Sequence, residues 1–461
     1  MLYCFTELQA SADSAPSGRG GAQTGKEVTV VRIKAIGKAI LIWILAVLWL
    51  PVGSLAEDDT DVEAQDLTGS CTFSVDGTAY GSFPRSLSDD SLETKRTLHG
   101  GRSFAVSWTD GVPVRAVFAE FFRAPSRCTI LQYDAEGAEL SREACPAAFN
   151  YLIPVGENTR SVAIASEDTI EICSLHAYGS GTVPNAHPWD YAVKKLDYMV
   201  VAMHPDDDVL FLGAIVPIFG AEQGKEGRIL YATPARRYRT EEALNGAWTM
   251  GLRNAPLFGP FGDFANESDP GHQKKFGKEA VVRYLVRVFR EHRPDVVFSH
   301  DPNGEYGHWQ HRRLSECVRR AVVLSADPSY DPESAAAFGT WRVKKLYLHL
   351  YPENAIQLSV TAPLAAFGGK SAFDVASEAY ACHISQQATK HRVRSEGVYS
   401  LSDFGLAYSA VGPDTPGKND PFEHLSPEEL FRLSLRERFG RASVRDGLPC
   451  GTVLMRGGMP R

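Results

Sequence analysis

Two short loops hold the residues best able to do chemistry. Met203-His204-Pro205-Asp206-Asp207-Asp208 gathers a histidine and three carboxylates, and His308-Trp309-Gln310-His311 follows about a hundred residues later, each after an apolar run. Such grouping is costly unless something charged sits between the pieces. A divalent metal is the economical explanation. A catalytic zinc takes three protein ligands from His and Asp/Glu and leaves a position for water, whose pKa falls towards about 7. The chemistry also needs a carboxylate off the metal to take a proton and a donor to meet the developing oxyanion. His204 and Asp207 lie three apart across a turn, with Asp206 between them facing another way. His308 and His311 are three apart on one face of a helix start, so one can bind metal while its neighbour reaches substrate.

Each piece alone is ambiguous. An isolated His-x-x-His is more often a surface pair, and the aspartates could cap a helix by accepting backbone amides. Occurring together, each after an apolar strand, they point to a hydrolytic metal site.

The elements that must carry these loops alternate between strand and helix. Leu196–Ala202 is a continuous apolar strand of the buried kind, with a helix expected over Val209–Phe219. Strands follow at Arg228–Ala232, Pro294–Ser299 and Val343–His349, and helices at Arg239–Leu252, Lys278–His292, His311–Ala326 and Ser371–Arg394. This is an α/β region with a Rossmann-like layered sheet, which forms sites at the carboxyl ends of its strands. The expected domain runs over 190–412, with a tail at 413–461 that shows helical spacing near Pro427–Phe439.

Residues 70–180 follow another pattern. Short alternating runs such as Ser103–Trp108, Val114–Phe122, Thr129–Tyr133, Ser161–Ala165 and Ile170–Leu175 are separated by Gly, Pro, Asp and Asn. They predict an antiparallel β-sandwich of jelly-roll type. Its layout is similar to discoidin or galactose-binding modules, which implies either a carbohydrate-binding accessory domain or a structural spacer.

At the N-terminus, Arg32 to Lys38 gives a basic flank, Ala39–Leu50 an apolar core and Ser54-Leu55-Ala56 a small-x-small site ahead of acidic residues. This reads as a signal peptide over 1–56 and implies export to the periplasm or beyond. The apolar run falls short of the roughly 20 residues of a spanning helix, so the membrane enters only if the segment stays uncleaved as an anchor. The whole chain carries 48 Lys+Arg against 56 Asp+Glu, a net charge of −8, which argues against nucleic acid as a partner. Export makes disulfides plausible, with Cys71–Cys173 and Cys128–Cys145 as the expected pairs.

The loops also carry a specific resemblance. Ala202 to Asp208 resembles the AHPDDE signature of the PIG-L/LmbE family of zinc-dependent N-acetylglucosamine deacetylases, and His300 to His311 resembles its DPxGxYGHxxH-like block. Arg239-Thr240-Glu241-Glu242 is similar to the RxxE element between them, and the likeness extends more loosely to about 412 through Leu346–Tyr351 and His383–Gln386. The resemblance implies His204, Asp207 and His311 as ligands of zinc or another divalent metal, and Asp206 as general base. It implies that His308 stabilises the tetrahedral intermediate or protonates the leaving amine, that Tyr306 donates to the oxyanion and that Arg239 holds the sugar. Asp208 stands where the family often has Glu, and Trp309-Gln310 replace a common Pro-Asp. His349 and His383 read as structural histidines. The expected function is metal-dependent removal of acetate from an N-acetylated amino sugar of an envelope or extracellular glycan. The alternative is a glycan-binding protein whose α/β domain is catalytically silent.

Overall fold

The computed structural model describes residues 62–426, Val193 and Pro270 excepted. The expected export segment and the helical spacing near Pro427–Phe439 lie outside those residues. No described helix is long and apolar enough to cross a membrane.

Ten strands come first: β1 (Thr72–Val75), β2 (Thr78–Ala79), β3 (Arg96–Leu98), β4 (Arg102–Ser107), β5 (Ala116–Phe121), β6 (Cys128–Tyr133), β7 (Glu139–Ala144), β8 (Asn150–Pro154), β9 (Ser161–Ser166) and β10 (Ile170–Tyr178). They form two sheets, ordered β2-β1-β4-β9-β6-β7 and β3-β10-β5-β8, whose ladders are antiparallel. Alternation sorts the side chains. In β4, Phe104 and Val106 are each 1% exposed in the core, while Ser103, Ala105 and Ser107 between them are half-buried. β5 is buried along almost its whole length. Val117, Ala119 and Phe121 enter the sandwich core, Ala116 and Phe118 pack with Ala64 and Val183, and Glu120 faces Arg237 of the α/β region.

The expected disulfides do not form, and all six described cysteines are free. Cys71 packs into the sandwich core, whereas Cys173 follows the core residue Ile172 on β10 and is not part of that core, so the two thiols do not face each other. Their thiols donate instead to Leu67 O and Leu92 O. Cys128 and Cys145 are neighbours across the β6–β7 pair, joined by a backbone hydrogen bond of 2.8 Å, and remain thiols.

The third sheet holds β11 (Tyr198–Ala202), β12 (Gly227–Tyr231), β13 (Leu257–Phe258), β14 (Val296–Ser299), β15 (Lys345–His349), β16 (Ala355–Gln357) and β17 (Asp403–Ser409), in the order β13-β12-β11-β14-β15-β17-β16. The first five are mutually parallel, and β17 and β16 add an antiparallel edge. The sheet is therefore mixed. Both faces of β11 are buried: Tyr198, Val200 and Ala202 join one core with α2 (Arg237–Thr249) and α5 (Ala372–Ala381), and Met199 and Val201 join another with α3 (Lys278–His292) and α4 (Trp309–Leu324). α3 matches its expected span, because Val281, Val282, Leu285, Val286 and Phe289 form one buried stripe. It ends at Arg293, whose φ of 51° is left-handed, just before Pro294.

Two expected helices differ. Val209–Phe219 is not continuous: α1 is only Asp207–Leu210, and a π-helical segment with an early proline runs over Val216–Glu222. Between them Gly213 allows close approach to α5, since a Cβ there would lie 2.9 Å from that of Ala376. The helix expected over Ser371–Arg394 starts with a Ser371/Asp374 capping box but gives way after Ala381. The chain beyond turns back towards the strand ends.

Candidate active site

Strand order makes the site. The chain steps from β11 to β12 on one side and later returns to β14 on the other, so order reverses between β11 and β14. A crevice opens at such a reversal, outside the carboxyl ends of the strands. His204 follows β11, and His300 and Asp301 follow β14. Asp206 adopts φ 127°, ψ −26°, a strained conformation for a non-glycine residue. Asp208 steadies it, with Oδ1 accepting from the Asp206 amide at 3.3 Å and Oδ2 accepting from the Tyr231 hydroxyl at 2.7 Å.

Three donor atoms converge. His204 Nδ1 is 3.1 Å from Asp207 Oδ2, His311 Nε2 is 3.2 Å from His204 Nδ1, and His311 Nε2 is 3.2 Å from Asp207 Oδ2. Ligands held at about 2.0–2.1 Å around a tetrahedral zinc stand roughly 3.3 Å apart, so the triangle has the right size. The opposite ring nitrogens are occupied: His311 Nδ1 faces Glu305 Oε2 at 2.7 Å, and His204 Nε2 faces Gln310 Oε1 at 3.3 Å. With those acceptors taking the outer N–H groups, each inner nitrogen could offer a lone pair to a cation at the centre. The Asp207 carboxylate also accepts from the His204 amide at 2.8 Å.

Electrostatics agree with the geometry. Burial opposes ionisation of Asp207, but His311 and His204 outweigh it and hold the carboxyl well below its usual range. Burial likewise opposes charge on His311, yet Asp207 and Glu305 push it up to about 10. Without a metal, this enclosure keeps a proton on His311 where a divalent cation would supply positive charge instead. The donor set thus fits a metal ion. His308 also lies within reach of His204 and His311 as a possible fourth nitrogen.

The other expected residues gather around the triangle. Asp206 Oδ1 pairs with Arg239 Nη2 at 2.9 Å. Burial raises the Asp206 pKa well above normal, Arg239 opposes this, and Asp207 and Asp208 reinforce it. Burial carries Asp208 up to about 7 against its bond from Tyr231, so it is a loop support. His308 is the N-cap residue of α4, its ring centroid 4.6 Å from that of His311 and 5.0 Å from that of His204. Burial, then His311 and His204, push it down to about 3, and its Nδ1 has no partner. Tyr306, at φ 47°, is 45% exposed beside His308 and His391. Burial raises its hydroxyl pKa, so it stays a donor. Arg239, besides its pair with Asp206, donates to Pro205 O at 2.5 Å.

Sequence reasoning passed over the carboxylate that organises the histidines. Glu305 is fully buried and accepts from His300 at 2.8 Å, His311 at 2.7 Å, His349 at 2.9 Å and the Asp301 amide at 3.1 Å. Burial opposes its charge, but His300, His311 and His349 together outweigh this and the carboxyl stays well below its usual range. Gly304, at φ 71°, provides the turn before it; a Cβ there would lie 2.4 Å from His308 O. A carboxylate in the same loop as a candidate ligand histidine was the available signal. Asp263, 3.5 Å from His204 Nε2, and Tyr399, whose hydroxyl accepts from the Tyr306 amide, carried none. His349 is structural, bonded to Glu305 and Ser400 O. His383 is enclosed, with neither ring nitrogen partnered.

The PIG-L family (GlcNAc-PI de-N-acetylase) matches residues 199–322, which span both loops. A 1D-myo-inositol 2-acetamido-2-deoxy-alpha-D-glucopyranoside deacetylase of Catenulispora acidiphila is 30% identical over 214 residues. The match covers 40% of this chain and 64% of that relative, so the chain spans less than two thirds of its length. The solved N,N'-diacetylchitobiose deacetylase from Pyrococcus horikoshii aligns over 43% of this chain and 72% of its own at 18% identity, TM-score 0.32. The lectin domain of lectinolysin, complexed with Lewis B antigen, aligns over 26% of this chain and 99% of its own at 13% identity, TM-score 0.22.

Proposed function

From the premise that the chain carries a PIG-L family domain at residues 199–322, we propose a metal-dependent amide hydrolase that releases acetate from an N-acetylglucosamine-type sugar. The observation that carries this is the triangle of His204 Nδ1, Asp207 Oδ2 and His311 Nε2, with a separate carboxylate, Asp206, beside it. Zinc or another divalent ion, held by those three side chains, supplies Lewis acidity and lowers the pKa of water towards about 7.

The chain's own groups do the rest. Asp206 takes a proton from the attacking water as its oxygen bonds to the acetyl carbon. Arg239, paired to Asp206, favours its ionised form and fixes its direction. The carbonyl oxygen gains charge, and neutral His308 and the Tyr306 hydroxyl donate towards it, a contribution of about 10²–10³ in rate for one good donor. The C–N bond then breaks, and the nitrogen receives the proton and leaves as an amine.

The wider reading is that residues 190–412 act as the deacetylase domain, residues 70–180 as an accessory module, and the protein acts after export on an envelope or extracellular glycan. N-terminal sequencing of the mature protein tests export: a start at Glu57 supports it. The intact donor set favours catalysis over the silent glycan-binder. Asp206→Asn keeps size and hydrogen bonding but cannot take the proton. It should reduce acetate release by about 10²–10⁴ while bound metal stays near the native content. Undiminished turnover would remove Asp206 as the base.

A further inference from the structure

The chain leaving β13 passes the crevice as a loop, residues 259–264, that is neither helix nor strand. Around Asp263 its backbone is held by two side chains from the first turn of α4. Gln310 is fully buried, with Nε2 donating to Gly262 O at 3.0 Å and Oε1 accepting from the Phe264 amide at 3.0 Å. These partners leave one orientation for the amide, since a carbonyl only accepts and a backbone N–H only donates. The Trp309 indole N–H donates to Phe264 O at 3.0 Å. The peptide groups on both sides of Asp263 are thereby clamped.

The same Gln310 oxygen faces the metal-site residue His204, 3.3 Å from its Nε2. One buried amide therefore serves the metal triangle and the loop together. Between the clamped peptides, the Asp263 side chain is 39% exposed, 3.5 Å from His204 Nε2 and 3.8 Å from Arg239 Nη1. It is an acceptor on the open side of the crevice. Trp309 and Gln310 are also the two residues that depart from the Pro-Asp of the resembled family pattern. Proline has no side-chain donor for Phe264 O. Aspartate is one methylene shorter, and its carboxylate has no N–H to give Gly262 O. A carboxylate there supports a ligand histidine well, but it releases the loop.

We propose that Gln310 and Trp309 are positioning residues that clamp the Asp263 loop at the mouth of the crevice and so set how tightly substrate is held. Neither touches the reacting atoms; both act through the backbone of residues 262–264. Gln310 has the second task of supporting His204, which ties the loop to the metal site. The link to substrate rests on the amide-hydrolase reading above, whereas the clamp stands apart from it.

The test compares the zinc-loaded full chain with Gln310→Asp, which restores the family's common residue, and Trp309→Phe, which removes one donor far from His204. Amide hydrogen exchange over residues 259–267 should quicken by about two- to tenfold in each, the scale of one lost hydrogen bond, with exchange in α3 unchanged. Zinc affinity, read by competition with a chelating dye, should be native in Trp309→Phe and native or tighter in Gln310→Asp. With the β-1,4-linked N-acetylglucosamine dimer as substrate, KM should rise by a similar factor in both variants, and by more than kcat falls. Native loop exchange in both variants would overturn the clamp. Quickened exchange with native KM would overturn its link to substrate. Zinc lost from Gln310→Asp with the loop still protected would reduce Gln310 to a metal support. Failure of the native chain to release acetate from the dimer would sink the link to substrate with the hydrolase reading, while exchange and zinc affinity still decide the clamp.

Discussion

At the seam between the β-sandwich and the α/β region, the Arg237 side chain is 1% exposed and pairs with Glu241 at 3.2 Å and Glu120 at 3.8 Å. It donates to Phe121 O at 2.8 Å and to Asn150, whose amide in turn donates to Glu241 at 2.6 Å. At the ends of β11 and β14, Asp206, Asp207 and Glu305 are buried among four histidines and Arg239. The seam is completed by the protein's own permanent cation. In the crevice Arg239 serves Asp206, while the ion pairs of Asp207 and Glu305 are with histidines. Charge closed by the chain itself locks two regions together; charge left open to an outside cation is available for chemistry.

The sharpest way to break this contrast is to remove the seam's cation. Arg237→Met leaves Glu241 and Glu120 buried without it and should cost about 3–5 kcal/mol of stability, measured by denaturant unfolding, with acetate release per folded molecule near native. A proportional loss of turnover would mean that the seam serves the reaction.

The crevice should respond to metal where the seam does not. Adding zinc to chelator-treated protein at about a hundredfold excess over Kd should stabilise it by about 2.7 kcal/mol, with release of protons displaced from the site. Calorimetric melting and a pH-indicator titration check this, and an unchanged melting temperature would remove the metal reading. Glu305→Gln weakens the support behind His311 and should lower metal affinity by about 10–100-fold, read by competition with a chelating dye.

The mildest test uses pH. Burial, then Glu241, push the folded-state pKa of Glu120 up to about 7, whereas in the unfolded chain it lies near 4.3. The folded protein therefore holds an extra proton between these values, and its stability falls as pH rises from about 4.5 through about 7. Glu120→Gln should flatten that decline by on the order of 2 kcal/mol. An unchanged slope would assign the pH dependence to another group.

Local patterns made much of this legible. α3 reproduced its expected span because its apolar stripe repeats at helical spacing, and β11 was visible as an unbroken apolar run. Val209–Phe219 misled because apolar content does not reveal that Gly213 must admit α5 or that Pro217 interrupts the ladder. The disulfide expectation failed for Cys71 and Cys173 because chain spacing says nothing about which face of its strand each thiol occupies. The pairing of Arg239 with Asp206 carried no signal in the chain, because it depends on where α2 lies against the loop.

Residue order supplied the chemistry available: a histidine and three aspartates after one strand, and paired histidines after another. Which atoms share one point came from folding. The reversal of strand order brings residues about a hundred positions apart to within 3.2 Å. Glu305 and His300, from the loop after β14, then meet His349 at the end of β15, because in the buried crevice a carboxylate is stable only where several donors converge on it.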